Sequence, residues 1–368
     1  MILSLAACFP QQHSTPDKAG VPTAIPLPPG GPDDTGGPPI HDDTGRCDDT
    51  GDPTPPRCED FFSDPLLCTQ DGQVWFTALD GTVTDMRPVL TGTCDVAADW
   101  TSTESGVLTF CGGMHWVNLH LVHDMRVEGG TGERDEVVLH GVWTDSVIGL
   151  EREGLEVCVQ DLTVSNGSAA NGGGLYCKAE RGYSVLNVVN VEIEDSRSPD
   201  VGGGVYTRSC NTRFEDVWIV ENEARSGAGA ALIEGEHSWS NVWVYGNTAT
   251  HDRAGLYARD AVSIFRDVRV KSNTAPDIAG VGQWGGSLDW LGTGAHTAGI
   301  YDNVATGPAA VGGFQLDDPG VADFDNVGFG EGVDDNDGSD LRVGSESWEA
   351  RAGAAIHCDA AGCVGDVE

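Results

Sequence analysis

The chain has 368 residues, 20 of them basic and 58 acidic, for a formal net charge of -38. So acidic a body lacks the basic stripe that a phosphate-tracking protein needs, which argues against nucleic acid, anionic membrane surfaces or polyanions as general partners. It contains no apolar run of about eighteen residues, the length that would span a membrane as a helix.

At the N-terminus, Leu5-Ala6-Ala7-Cys8 resembles a bacterial lipobox, in which small residues admit a signal peptidase to the bond before a cysteine that receives lipid. The basic start and longer apolar run of a full signal are missing. The true start is therefore expected upstream, with residues 1–8 a signal remnant and Cys8 the lipidation site. The resemblance implies an exported protein, lipid-anchored at the outer membrane or cell surface and touching the membrane only through that anchor.

Residues 9–57 are rich in Pro, Gly, Asp and Thr and carry Asp-Asp-Thr-Gly three times, at 33–36, 42–45 and 48–51. Prolines block regular hydrogen bonding and the aspartates repel one another, so an extended, disordered tether is expected. Calcium binding is the alternative, but the spacing matches no known calcium loop.

There are eleven cysteines, and ten remain once Cys8 is set aside for lipid. An even set without CxxC pairs or histidines at metal spacing reads as disulfides formed in an oxidising compartment. Cys358 with Cys363 closes a short loop, and Cys94 with Cys111 is expected to staple the entry to the folded domain. The other pairings stay open.

Residues 58–108 mix two candidate strands, Val74-Trp75-Phe76 and Thr82-Val83-Thr84, with Cys68 and Cys94, and read as an N-terminal cap. Residues 109–345 carry short alternating strands between glycine turns, with no amphipathic helix, so the fold class is all-β. Residues 346–368 form a C-terminal cap with its disulfide loop.

A repeat becomes explicit from residue 161. Strands beginning Asp161-Leu162, Asn190-Val191, Asp216-Val217, Asn241-Val242, Asp267-Val268 and Asn326-Val327 align, with Ala298-Gly-Ile300 filling the gap before the last. The closest spacings are 25 or 26 residues, and Asn222, Asn247, Asn273 and Asn303 follow each strand, with Ala224, Ala249, Ala275 and Ala305 two residues later. A period this long, made only of strands and turns, fits one coil of a parallel β-helix, a solenoid whose coils stack at about 4.8 Å. Each repeated position then becomes a ladder. The Asn ladder is expected to adopt the left-handed turn conformation and to bond its amides between coils.

These residues resemble the polymorphic outer-membrane-protein repeats of bacterial surface proteins, part of the wider pectate-lyase-like superfold. Those repeats pair a Gly-Gly-small-aliphatic motif with Phe-x-x-Asn. Here the first motif is Gly173-Gly174-Leu175, Gly203-Gly204-Val205 and Gly312-Gly313-Phe314, weakened to Ala228-Gly229-Ala230 and Ala254-Gly255-Leu256. The second is Ile219-x-x-Asn222, Val244-x-x-Asn247, Val270-x-x-Asn273 and Ile300-x-x-Asn303, an aliphatic residue replacing Phe. The resemblance covers about half of the chain. It implies a single-stranded, right-handed parallel β-helix and brings no catalytic residues.

Alternation after each glycine turn assigns an outward column Tyr176, Tyr206, Leu232, Tyr257, Gly282 and Gln315. A second outward column holds Lys178, Arg208, Glu234, Arg259, Trp284 and Asp317. Aromatic faces stack on sugars and cations hold uronate carboxylates, so Tyr176, Tyr206 and Tyr257 with Lys178, Arg208, Arg259 and Trp284 are the candidate binding residues. The competing reading is ordinary cross-strand pairing, which applies also to Trp218 and Trp243. For a glycan-cleaving enzyme, Glu234, Glu236, His237, Asp260, Asp317 and Asp318 supply carboxylates and imidazole, with Arg208 or Arg259 as a lyase base. No compact catalytic signature accompanies them. No cofactor is expected. Asp334-Asp335-Asn336-Asp337-Gly338-Ser339-Asp340 fails as an EF-hand loop and aligns with Asn273 to Asp277 as a last coil, leaving a looser calcium site as the alternative.

The leading expectation is a monomeric surface lipoprotein for non-enzymatic binding or adhesion to a glycan or envelope component, or a scaffold. A polysaccharide lyase or hydrolase acting on an acidic polysaccharide is the alternative.

Overall fold

The computed structural model describes residues 68–368, apart from 181, 295–296, 308–309, 318–319, 330–335, 337–338, 344–345, 349, 351–353, 366 and 368. The described residues all lie in the second of the two units into which the chain divides, residues 56–368. Cys8, the Asp-Asp-Thr-Gly segment, Asp318, Asp334, Asp335 and Asp337 lie outside the described residues.

The second unit is a parallel β-solenoid of about eight turns with almost no helix. A complete coil runs through three strands, as Val205–Arg208, Cys210–Val220 and Glu223–Ser226 do before Ala230–Ile233 begins the next. The first sheet stacks Leu175–Lys178, Val205–Arg208, Ala230–Ile233, Leu256–Arg259, Val281–Trp284 and Val311–Asp317, all parallel. The second carries the long strands Glu156–Ser165, Ser184–Glu194 and Cys210–Val220, which later coils break in two, as in Glu236–Ser240 with Trp243–Tyr245. The third has five short strands, Arg197–Val201, Glu223–Ser226, Thr248–Asp252, Thr274–Ala275 and Val304–Ala305.

Stacking puts like on like inside. Leu175, Val205, Ala230, Leu256, Val281 and Phe314 form one buried column. From the second sheet Phe214, Trp239, Phe265, Trp290 and Phe324 form another, with successive ring centroids 4.8, 5.1, 5.3 and 6.1 Å apart. Ala224, Ala249, Ala275 and Ala305 form a buried small-residue column along the third sheet. Glycine has a specific task here. A Cβ on Gly174, Gly204, Gly229 or Gly255 would sit 2.5 to 2.8 Å from the carbonyl oxygen of the matching glycine in the next coil, so this column admits no side chain.

The asparagine ladder is internal and fully bonded. Asn222, Asn247, Asn273 and Asn303 are completely buried. The left-handed conformation belongs to the residue before each, Glu221, Gly246, Ser272 and Asp302, with φ of 53°, 68°, 54° and 56°. This differs from the expectation for the Asn itself: an inward amide in extended backbone reaches the carbonyls and amides of neighbouring coils, which a left-handed Asn would point away from. The six aligned residues Asp161, Asn190, Asp216, Asn241, Asp267 and Asn326 do take positive φ, between 51° and 56°. They alternate acid and amide, so Asn190 donates to Asp161 at 2.8 Å and Asn241 to Asp216 at 2.5 Å without two carboxylates meeting.

Antiparallel strands close both ends. Val74–Ala78 pairs with Val83–Asp85 and with Gly106–Phe110. At the other end Ala354–Asp359 pairs with Val321–Val327. A terminal coil otherwise leaves an open strand edge, and the reversed strands occupy it.

Cys358 and Cys363 are bonded as expected, with Cα atoms 4.1 Å apart. Cys111 is bonded to Cys68, 43 residues earlier, and not to Cys94. Val74–Ala78, just after Cys68, pairs directly with Gly106–Phe110, just before Cys111, and this brings the two cysteines together. Cys94 and Cys158 are disulfide-bonded as well. A further bridge, Cys177–Cys210, lies inside the solenoid.

Candidate functional site

The candidate site is the outer face of the first sheet. Four-residue strands alternate in and out, so each contributes two outward side chains. The first outward column is Tyr176, Tyr206, Ala231, Tyr257, Gly282 and Gln315, and the second is Lys178, Arg208, Ile233, Arg259, Trp284 and Asp317. In one coil this corrects the assignment from sequence: Ala231 and Ile233 face outward, where Leu232 and Glu234 were expected. Leu232 is fully buried in the core. Ala228-Gly229-Ala230-Ala231 offers no contrast in size, so only packing sets the frame of that coil.

The consequence is an apolar seam on an outer surface. Tyr176 and Tyr206 stack with centroids 5.6 Å apart and planes 10° from parallel. Tyr206, Ala231 and Ile233 form a cluster, with Tyr176 and Tyr257 packed against it. Tyr206 is 6% exposed and Ile233 4%. Tyr176 and Trp284 offer more surface, Trp284 being 50% exposed. Burial raises the Tyr176 hydroxyl above its usual range, with Glu151 and Glu180 adding to the effect. Burial raises Tyr206 too, opposed by Arg208.

Beside Tyr176 the face sinks into a hollow of about 720 Å³ lined by Leu150, Glu151, Arg152, Glu153, Tyr176, Lys178 and Glu180. Its rim is braced. His120 Nδ1 lies 2.7 Å from Glu151 Oε1, Lys178 Nζ lies 3.4 Å from Glu180 Oε1, and the Glu180 backbone N–H donates to Glu153 Oε1 at 2.9 Å. Aromatic surface, one ammonium and three carboxylates therefore meet in one open hollow.

At the other end, Arg253 lies over Tyr257 at 4.8 Å and pairs with Asp252 and, at 3.1 Å, with Asp317. Gly282 lets this happen, because a Cβ there would meet the Arg253 side chain at 2.6 Å. Asp317 also accepts a bond from Gln315 Nε2 at 2.8 Å. Its carboxylate is thus committed to two neighbours.

The remaining enzyme candidates serve the turns and the interior. Ser209, Glu234 and Asp260 end successive strands of the first sheet with φ of 52°, 56° and 52°, and Glu234 accepts a bond from Ser209 Oγ at 2.5 Å. Glu236 is exposed on the second sheet. His237 points inside: Thr212 Oγ1 lies 2.9 Å from Nδ1 and the Glu234 carbonyl 3.2 Å from Nε2. A carbonyl only accepts, so the ring carries its proton on Nε2, and Nδ1 accepts a hydrogen bond from the Thr212 hydroxyl, whose oxygen accepts from Trp239 Nε1 at 3.0 Å. Burial lowers the His237 pKa to about 4.

Arg208, Ile233 and Arg259 thus share one column and Glu234 and Asp260 one corner, while Asp317 belongs to Arg253. Trp218 and Trp243 are neighbours on the second sheet, each under an arginine, Arg134 at 4.2 Å and Arg269 at 4.3 Å. Among the described residues, no group of three or more His, Cys, Asp or Glu gathers as metal ligands do. Asp340 is buried and accepts from Asn336 Nδ2 and the Ala350 N–H, both at 3.0 Å. Asn336 continues the asparagine ladder, donating to the Ile300 carbonyl at 2.9 Å.

Sequence reasoning missed Arg253 and the acidic rim. The signal for Arg253 was its place directly before Ala254-Gly255, at a coil corner. For the rim it was the run Glu151-Arg152-Glu153 closing a strand. Comparison of the chain with protein-family models, with curated proteins and with solved structures returned no match.

Proposed function

We propose that this protein is a non-enzymatic glycan-binding module displayed at a bacterial surface. The observation that carries the reading is the Tyr176–Tyr206 stack bordering the hollow of Glu151, Glu153, Lys178 and Glu180. A sugar ring lies on the open side of Tyr176 while the braced rim offers hydrogen-bond acceptors and the Lys178 ammonium. Arg208 and Arg259, two coils apart on the same column, receive acidic groups further along the chain of sugars.

Binding is favoured over cleavage because two of the candidate carboxylates, Glu234 and Asp317, already have structural partners. Glu234 is held by Ser209, and Asp317 by Arg253 and Gln315. A catalytic carboxylate must instead face a substrate. The repeat type is read as that of the polymorphic outer-membrane proteins, with aliphatic residues in place of Phe. Residues 9–57 are read as the tether and Cys8 as the lipid anchor that hold the solenoid at the outer membrane or cell surface.

Incubating the purified chain with uronate-containing polysaccharides tests the non-enzymatic part. Retention on the polysaccharide without new reducing ends or unsaturated products is expected. Cleavage lost on Arg259→Ala or Asp317→Ala overturns it. Labelled palmitate incorporation, with the native leader supplied, is expected to vanish in Cys8→Ser; its persistence removes the anchor.

A further inference from the structure

The loop between strands Val137–His140 and Ile148–Leu150 holds an exposed tryptophan on a strained turn. Val142 and Trp143 have φ of 53° and 60°, and the Thr144 N–H closes the turn on the Gly141 carbonyl at 3.3 Å. Positive φ at both central positions marks the mirror-image turn that Asn-Gly adopts without cost. In a β-branched valine and a bulky tryptophan the same conformation drives Cβ against the backbone. Matching corners of later coils use a single left-handed residue, polar or glycine: Asn166, Asp195, Glu221, Gly246, Ser272 and Asp302. The backbone conformation therefore gives no reason for Val-Trp at this corner.

The turn is nevertheless held firmly. The Trp143 N–H donates to the Asn166 carbonyl at 2.7 Å, Thr144 Oγ1 donates to the Gly141 carbonyl at 3.0 Å, and Asn118 Nδ2 donates to Thr144 Oγ1 at 2.9 Å. The indole is 39% exposed. The Arg197 guanidinium lies 4.4 Å from its centroid, tied by Nε to Ser168 Oγ at 3.3 Å. A large aromatic ring is thus held in a fixed pose, one face under the planar Arg197 guanidinium and part of its surface open to solvent. Strain that the surroundings over-determine, at an exposed aromatic, points to a ligand.

We infer that Trp143 and Arg197 form a subsite for a neutral hexopyranose, sharing no residue with the tyrosine stripe. The C–H face of the sugar packs on the indole surface that the guanidinium leaves open, and hydroxyls reaching past the ring edge accept from the Arg197 N–H groups. A neutral sugar fits the local charge. Asp145 on the same loop, Asp195 two residues before Arg197, and Glu223, its partner in the next coil, would repel a uronate.

The test uses the full chain on an array of cello-, manno-, galacto- and malto-hexaose alongside uronate oligomers. The expected result is a neutral hexaose whose Kd rises tenfold or more in Trp143→Ala and is unchanged in Tyr176→Ala. The double variant Val142→Asn/Trp143→Gly should lose the same binding while its Tm rises by roughly 2–4 °C as the strain is relieved. A fall in its Tm assigns Trp143 to the fold and overturns the inference. So does an array on which no neutral hexaose depends on Trp143. Uronate binding that depends on Tyr176, with no neutral hexaose depending on Trp143, overturns this subsite and leaves the proposed function standing; a neutral hexaose held through Trp143, with no uronate oligomer depending on Tyr176, does the reverse.

Discussion

Asn222 and Asn247 are joined by two hydrogen bonds to one oxygen: Asn247 Oδ1 accepts from the Asn222 backbone N–H at 3.0 Å and from Asn222 Nδ2 at 3.1 Å. The same pair of bonds links Asn247 to Asn273 and Asn273 to Asn303. Each amide also donates to a carbonyl of the coil before, as Asn247 does to Ile219 at 3.0 Å. The side-chain amides and backbone N–H groups of the column therefore all have partners, and the ladder fixes the stacking register of the solenoid.

Replacing Asn247 by Ala strands the Ile219 carbonyl, the Asn222 N–H and both neighbouring amides in a dry interior. Each orphaned group costs about 1–3 kcal/mol, so the four together are expected to cost about 4 kcal/mol or more in chemical denaturation. A loss below about 0.5 kcal/mol, the level of an ordinary surface change, removes the ladder from the account of stability.

Tyr206 covers Ala231 and Ile233 from outside. Tyr206→Ala should destabilise by about 2–3 kcal/mol, the value of burying a large side chain. Tyr176, half-buried at the hollow, should tolerate the same change with a smaller loss. Equal losses would show that the two rings have the same structural weight and that the hollow lends Tyr176 no separate role.

His237 gives the solenoid an acid-sensitive point. Its pKa is about 4 when folded against the ordinary histidine value of 6.5, so below pH 6.5 the unfolded chain takes up the proton first. The contribution of neutral His237 is fully present above pH 6.5 and falls away as pH drops towards 4, by about 3 kcal/mol. His237→Gln should flatten this slope of stability between pH 6.5 and 4. An imidazole titrating near 6.5 by NMR would contradict the burial.

The architecture was legible because solenoid packing writes itself into sequence. A strand position recurring every 25 or 26 residues must stack on itself, so Asp161 to Asn326 and Asn222 to Asn303 could be aligned before any contact was known. The frame of one coil was not legible, since Ala230 and Ala231 are equal in size and only contact with Tyr206 and Tyr257 separates inside from outside. The partner of Cys111 was hidden for a different reason: disulfides follow proximity in space, and the antiparallel pairing that brings Cys68 near has no repeat to betray it. The hollow combines a strand residue, Tyr176, with corner residues from the coil before it, and corners vary from coil to coil.

The central claim is that the outer face of the first sheet binds a glycan without cleaving it. Titration calorimetry of the full chain with the polysaccharide that retains it tests this most directly, comparing the unaltered protein with Tyr176→Ala and with Arg208→Ala/Arg259→Ala. The account predicts saturable binding that weakens at least tenfold in both variants, with their thermal stability nearly unchanged and no heat of turnover. Binding of the same strength in both variants would contradict it.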